Sequence, residues 1–260
     1  MRRGSRLREL RLDPSYASRD SEPVALIYDT EGAALGRLHE RLHRLEFSVA
    51  YARDPSAFEE LREAVRDRLR AVLVPATLPK DELCRIVERA AHDAPERTPR
   101  WVVAGSRPGE RVRARLRGLG VHLALWEPCD DTTLRFIVNE ALCLHREVEA
   151  RRAQRVCTPL IARVHSNGRW LDAPVYNLSV HGAFLEAQHL RPRGARLDLE
   201  IELPARRVRV AASVVRTNAP GNLKRRSLPV GMGVRFQAVD PAVERALAAY
   251  VEERAARSAV

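Results

Sequence analysis

Asn177-Leu178-Ser179-Val180-His181-Gly182 decides how this chain is read, and it lies about twenty residues after Arg151-Arg152-Ala153-Gln154-Arg155. The later stretch offers a side-chain amide, a hydroxyl and a glycine. The earlier one offers two guanidiniums four residues apart, whose forked donors match phosphate oxygens and the O6/N7 edge of guanine. Together they fit an anionic nucleotide. Each half alone has a plainer reading. The first could be a polar turn between two strands, with Asn177 capping its own backbone and Gly182 supplying a positive φ. The second could be the solvated, salt-bridged end of a helix that includes Arg146, Glu147 and Glu149. The two halves in this order favour the nucleotide.

Around these motifs run short segments rich in branched residues: 160–165, 173–177, 183–187, 197–203, 208–215 and 231–236. Turn signals at Asn167-Gly168, Arg193-Gly194 and Ala219-Pro220-Gly221-Asn222 separate them. This pattern predicts a small antiparallel β-barrel. Asp240-Pro241 then opens a final helix, with aspartate as the cap and proline in the first turn, and Val243, Leu247, Tyr250 and Val251 form the stripe it lays on the barrel.

The paired motif R-x-x-x-R and D/N-x-S-x-x-G, continued by Ala183-Phe184-Leu185 and later by Gly231-Met232-Gly233-Val234-Arg235-Phe236, resembles the PilZ family of cyclic di-GMP receptors over roughly residues 147 to 257. The resemblance implies that Asn177 and Ser179 use exposed polar groups to bind the guanine and backbone region of cyclic di-GMP, while Gly182 allows close approach. It implies that Arg151 and Arg155 hold phosphate and guanine from the other side. His181 stands at a variable motif position and has no catalytic role.

The first half reads differently. Segments 24–28, 48–51, 71–74, 101–104 and 122–126 are five buried strands, and between them Leu35, Leu38, Leu42 and Leu45, then Phe58, Leu61 and Val65, then Leu83, Ile86, Val87 and Ala90 recur at helical spacing. Strand and helix in alternation predict an α/β doubly wound parallel sheet. No G-x-G-x-x-G or P-loop follows the first strand. Order and spacing resemble a response-regulator receiver domain, but a degenerate one. Asp29 and Glu31 stand near the usual acidic cluster and Ser106 near the fourth strand, yet Pro75 follows the third strand where the phosphate-accepting aspartate is needed. Glu127 stands where lysine is needed. No phosphorylation and no metal site are therefore expected, and Asp29 and Glu31 are read as acids opening the next helix.

From Asp131 to about Arg155 one long helix is predicted, with Leu134, Ile137, Val138, Ala141, Leu142 and His145 as its stripe. Arg151 and Arg155 then share a face one turn apart or lie on a segment able to wrap a ligand. The predicted organisation is a disordered head over 1–22, a receiver-like domain over 23–146 and a PilZ-like domain over 147–260.

Composition bounds the rest. The chain has 260 residues, 45% hydrophobic and 30% charged, which is globular and long enough for two cores. Basic residues number 19 against 11 acidic ones over 147–260, but 20 against 19 over 23–146, so the net +11 is concentrated beside the arginine pair. Because all basic residues except Lys80 and Lys224 are arginine, the charge is weak evidence for nucleic acid. Aromatics are scarce at 5%, and no helix-turn-helix or RNA-binding signature is visible. Cys84, Cys129, Cys143 and Cys157 are widely spaced and read as reduced thiols of a cytoplasmic protein. No stretch approaches a membrane span. The expected function is a non-enzymatic cyclic di-GMP effector that needs no cofactor and signals to an unidentified downstream protein. The alternatives are a PilZ-fold module that binds no ligand, whose receiver-like half forms a homodimer, and a basic nucleic-acid-binding protein.

Overall fold

The computed structural model describes residues 22–30, 35–93, 98–143, 153–166, 168–221, 223 and 226–260. The predicted disordered head thus lies almost wholly outside the described residues.

The first domain is a five-stranded parallel sheet formed by β1 (Val24–Tyr28), β2 (Val49–Ala52), β3 (Leu69–Pro75), β4 (Arg100–Gly105) and β5 (Leu123–Trp126), in the order β2-β1-β3-β4-β5. β1 is buried at all five positions, as a parallel strand covered on both faces must be. The covering helices are α1 (Gly36–Arg44), α2 (Pro55–Ala64), α3 (Lys80–Asp93), α4 (Glu110–Gly118) and α5 (Asp131–Leu142). Their starts follow local chemistry: Asp54 accepts from the Ala57 amide at 2.8 Å with Pro55 next in line, and Asp130 accepts from the Thr133 amide at 2.6 Å.

The second domain is a closed six-stranded antiparallel barrel extended by one further strand of two residues. Its strands are β6 (Val156–Cys157), β7 (Ile161–Ser166), β8 (Arg169–Ser179), β9 (Gly182–Glu186), β10 (Arg196–Glu202), β11 (Arg207–Asn218) and β12 (Gly231–Gln237), and β8 closes the ring by pairing with both β7 and β9. Alternation packs Val208, Val210, Ala212 and Val214 into the barrel core while Arg207 and Arg209 stay outside. α6 (Pro241–Ser258) is capped by Asp240, which accepts from the Ala242 amide at 2.7 Å, and lays Val243, Leu247, Tyr250 and Val251 on that core as the sequence predicts.

The helix predicted to run from Asp131 to Arg155 is shorter. It ends at Leu142, and Cys143 already has extended geometry (φ −68°, ψ 139°). Residues 144–152 lie outside the described residues. Arg155 is non-helical and immediately precedes β6, so the arginine motif reaches the barrel through a strand and not through a helix face.

The domains share a core. Tyr176 and Phe184, on β8 and β9, join a cluster with Leu134, Phe136, Ile137 and Leu142 of α5 and Leu35, Leu38 and Leu42 near α1. The Phe136 ring meets Tyr176 edge-on at 6.1 Å, and Tyr176 meets Phe184 at 5.8 Å. Buried Asn139 donates to the Tyr176 hydroxyl (3.3 Å) and to the Ser227 carbonyl (3.1 Å), and accepts from Ser227 Oγ (2.8 Å). Beyond α6 the chain returns to the first sheet: Ala259 bridges Leu123 of edge strand β5, Trp126 Nε1 donates to the Ala259 carbonyl, and Val260 is buried in the core of the first domain.

Candidate functional site

Asn177 and Ser179 end β8, Val180 and His181 make the connection, and Gly182 opens β9, with Ser179 opposite Gly182 and Asn177 opposite Phe184. The register shifts between Val175 and Asn177. Leu178 consequently points to the barrel core while its neighbours Asn177 and Ser179 lie on the outer side, and Tyr176 is turned to α5.

β6 aligns the other motif half with this segment. Val156 pairs with Leu178 and Cys157 with Asn177, which brings Arg155 alongside, and its Nη1 donates to Asn177 Oδ1 at 2.8 Å. The structure therefore unites Arg155, Asn177, Ser179 and Gly182. Arg151 lies outside the described residues.

Three details differ from the sequence reading. Asn177 and Ser179 are 5% and 3% exposed, so they are not open polar groups. Asn177 does not cap its own backbone but holds Arg155, and Ser179 Oγ donates to the Gly182 carbonyl at 3.1 Å across the turn. Gly182 has no positive φ. It is needed because a Cβ there would stand 2.2 Å from the Val234 carbonyl oxygen of β12, a backbone contact that cannot yield.

Beside Arg155 a cavity of about 410 Å³ opens between the domains. Arg155 and Val156 line one side, Phe136 and Glu140 of α5 another, and Arg100 and His122 of the first sheet a third; the last turn of α6 closes it. Arg100 Nη1 donates to the Glu140 carbonyl at 2.8 Å. Nothing in their sequence context marks Arg100, His122 or Glu140, since only the packing of the domains gathers them.

A larger cavity, about 540 Å³, lies elsewhere on the barrel between Leu171, Ala173, Met232 and Glu186. Burial pushes the Glu186 carboxyl above its ordinary range. Asp172, Gln188, His189 and Arg191 also line it, and the motif residues Arg155, Asn177, Ser179 and Gly182 do not.

At the carboxyl ends of the first sheet, Asp29 is fully buried and its Oδ2 accepts from the Leu35 amide and the Tyr51 hydroxyl, each at 2.8 Å. This anchors the entry to α1, as the helix-opening reading predicts, and Glu31 lies outside the described residues. Pro75 ends β3, and Glu127 follows β5 with its amide bonded to the Gly105 carbonyl.

Family comparison agrees with this geometry, since residues 149–253 match the PilZ domain family. Residues 149–253 are a PilZ domain. The PilZ domain thus begins just before the arginine motif and ends within α6, and the domain before it is receiver-like in strand order. Similar solved structures include the inhibitor of motility MotI/DgrA of Bacillus subtilis (23% identity, 41% of this chain and 52% of that chain, TM-score 0.35). Others are the PilZ domain of YcgR from Escherichia coli with c-di-GMP (20%, 42% and 93%, 0.33) and a CheY-like receiver domain protein from Methanospirillum hungatei (19%, 50% and 100%, 0.40). The chain spans about half the length of the Bacillus protein. No curated protein matches it. No described helix is long and apolar enough to cross a membrane.

Proposed function

We propose that this chain is a non-enzymatic effector that binds cyclic di-GMP through its PilZ domain at the junction with the receiver-like domain, and passes the event to another protein. The observation that carries the reading is the 2.8 Å bond from Arg155 to Asn177, which joins the two halves of the motif at the mouth of an interdomain cavity. A guanidinium held by a neutral amide keeps its full charge. A guanidinium fork is suited by its geometry to phosphate or to the O6/N7 edge of guanine.

Ligand capture at this place acts on both domains. Arg155 leads into β6; the next strand residue, Cys157, gives its carbonyl to Arg254 of α6 (3.2 Å), and the chain beyond α6 docks on β5. A shift of Arg155 toward a ligand would therefore be felt by β6, α6 and the domain contact. The compartment proposed for this effector is the cytoplasm.

Calorimetric titration of the folded chain with cyclic di-GMP tests the reading, and absence of heat at tens of micromolar removes it. The burial and internal bonding of Asn177 and Ser179 favour one second reading, a docking module that binds its partner without ligand. A partner recovered from cells equally well with and without cyclic di-GMP would establish that alternative.

A further inference from the structure

We infer that the flank of α4 bearing Arg111, Val112 and Arg115 is a docking surface of the receiver-like domain, and that its partner is a protein presenting an acidic amphipathic helix; this rests on the effector reading above only for the existence of a downstream protein, and not on bound cyclic di-GMP. Charge singles out this helix. From Thr98 to Trp126 the chain carries six arginines and one acid, Glu110. Four of those arginines lie in α4, and Glu110 holds two of them, Arg113 and, at 2.5 Å, Arg117. These bonds, that of Arg117 first, hold the Glu110 carboxyl below the usual carboxylate range. Arg111 and Arg115 are exposed and make no hydrogen bond or ion pair among the described residues.

Helix geometry separates the two pairs. At 3.6 residues per turn, buried Leu116 marks the side of α4 that faces the sheet; Glu110, Arg113 and Arg117 fall on one flank, and Arg111, Val112 and Arg115 on the other. The first flank is occupied from within the chain, since Arg117 Nη1 donates to the Val260 carbonyl and Ala259 bridges Leu123 of β5. The second flank is turned to α3, on the side of that helix away from α2, because α2 and α3 meet through Arg62 with Asp93 and Arg89 with Glu59. On this side α3 exposes Lys80 and Glu88, with half-buried Val87 between them. The strip therefore sets three cations, Lys80, Arg111 and Arg115, against one carboxylate, Glu88, around Val87 and Val112, and Val112 is 41% exposed.

The rest of the domain is committed elsewhere. α1 and α5 pack with Tyr176 and Phe184 of the barrel, the β5 edge holds Ala259, and α2 and α3 neutralise each other's charges along their contact. What remains is a positive strip with an apolar centre, which is complementary to a negative partner surface with an apolar centre of its own. Arg111 and Arg115 stand one helical turn apart, with Cβ atoms about 5 to 6 Å from each other. Carboxylates at i and i+4 of a partner helix have the same spacing, so a helix laid along α4 meets both guanidiniums and sets an apolar side chain on Val112. A nucleic-acid backbone would leave Val87 and Val112 without an apolar partner and would be repelled by Glu88.

The test is fluorescence anisotropy with the full chain, wild type and the double variant Arg111→Glu with Arg115→Glu, folding being checked by circular dichroism. The probes are a labelled helical peptide with glutamates at i and i+4 beside a leucine stripe, the same peptide with lysines in place of the glutamates, and a short DNA duplex. At low salt the wild type is expected to prefer the glutamate peptide over the lysine peptide, and the double variant to lower that preference by at least about tenfold, since like charges then face each other. No preference in the wild type, or a preference that the double variant keeps, overturns the docking surface. DNA held more tightly than the glutamate peptide, and lost in the double variant, overturns the acidic helix as its occupant. Calorimetry of the same proteins with cyclic di-GMP separates the two readings: heat unchanged by the double variant is expected, and no heat in the wild type removes the ligand reading while the docking surface stands or falls on the peptide result.

Discussion

Arg155 Nη1 lies 2.8 Å from Asn177 Oδ1, across two paired strands and twenty-two residues of sequence. The amide positions the guanidinium, so the two substitutions have unequal consequences. Arg155→Ala removes a charge-assisted contact typically worth about 1.5 to 3 kcal/mol and is expected to weaken cyclic di-GMP binding roughly 10- to 150-fold by calorimetry. Asn177→Ala leaves the charge but frees its direction, and a smaller loss, about 3- to 10-fold, is expected. Equal affinity of Arg155→Ala and wild type would reject the site.

Gly182 lies where β9 passes β12 so closely that a Cβ would stand 2.2 Å from the Val234 carbonyl oxygen. Gly182→Ala is expected to force these strands apart and destabilise the barrel by about 1 to 3 kcal/mol, the usual cost of overpacking. Gly120→Ala serves as a contrast: its added Cβ meets nothing within 4 Å, although its φ of +79° carries its own strain. Thermal denaturation should show the barrel, not the parallel sheet, melting early in Gly182→Ala. An unaltered barrel transition would contradict the close approach.

What the sequence makes legible follows from periodicity. Five apolar strands and three leucine-type stripes announce the parallel sheet, and alternating strands with turn signals announce the barrel, because both patterns repeat over enough residues to be seen. β6 escapes notice because two residues have no period. Tyr176 and Phe184 read as ordinary barrel residues. Only the register shift before Asn177, and the arrival of α5, make them interdomain core. The stripe continuing to His145 likewise suggests a helix longer than α5, since periodicity says nothing about where tertiary contacts end. Glu140 and Arg100 could not be found at all, being forty residues apart and joined only through the fold.

Asn139 couples the domains by filling its hydrogen-bonding capacity on the other side of the interface. Asn139→Ala leaves the buried Tyr176 hydroxyl and the half-buried Ser227 Oγ without this partner, at a cost of about 1 to 3 kcal/mol. Urea denaturation of the full chain should show a lower midpoint, and small-angle scattering should show a looser particle. A wild-type midpoint together with wild-type scattering would mean that the apolar contacts of Phe136, Tyr176 and Phe184 alone set the domain geometry.

Alkaline pH should destabilise the fold. Burial, more than any other cause, pushes the Cys157 thiol up to about 11 and the Tyr51 hydroxyl up to about 12; burial also raises the Tyr176 and Tyr28 hydroxyls, Tyr28 with the added effect of its bond to Glu82. In the unfolded chain thiols ionise near about 8.5 and phenols near about 10. Between those values and the folded ones, the unfolded chain binds fewer protons than the folded one, so unfolding is favoured as pH rises. The stability these groups contribute is complete below about pH 8.5 and is lost progressively toward pH 11 to 12. Urea midpoints should therefore fall between about pH 8 and pH 10.5. A midpoint that stays level over this range would contradict the burial of these groups.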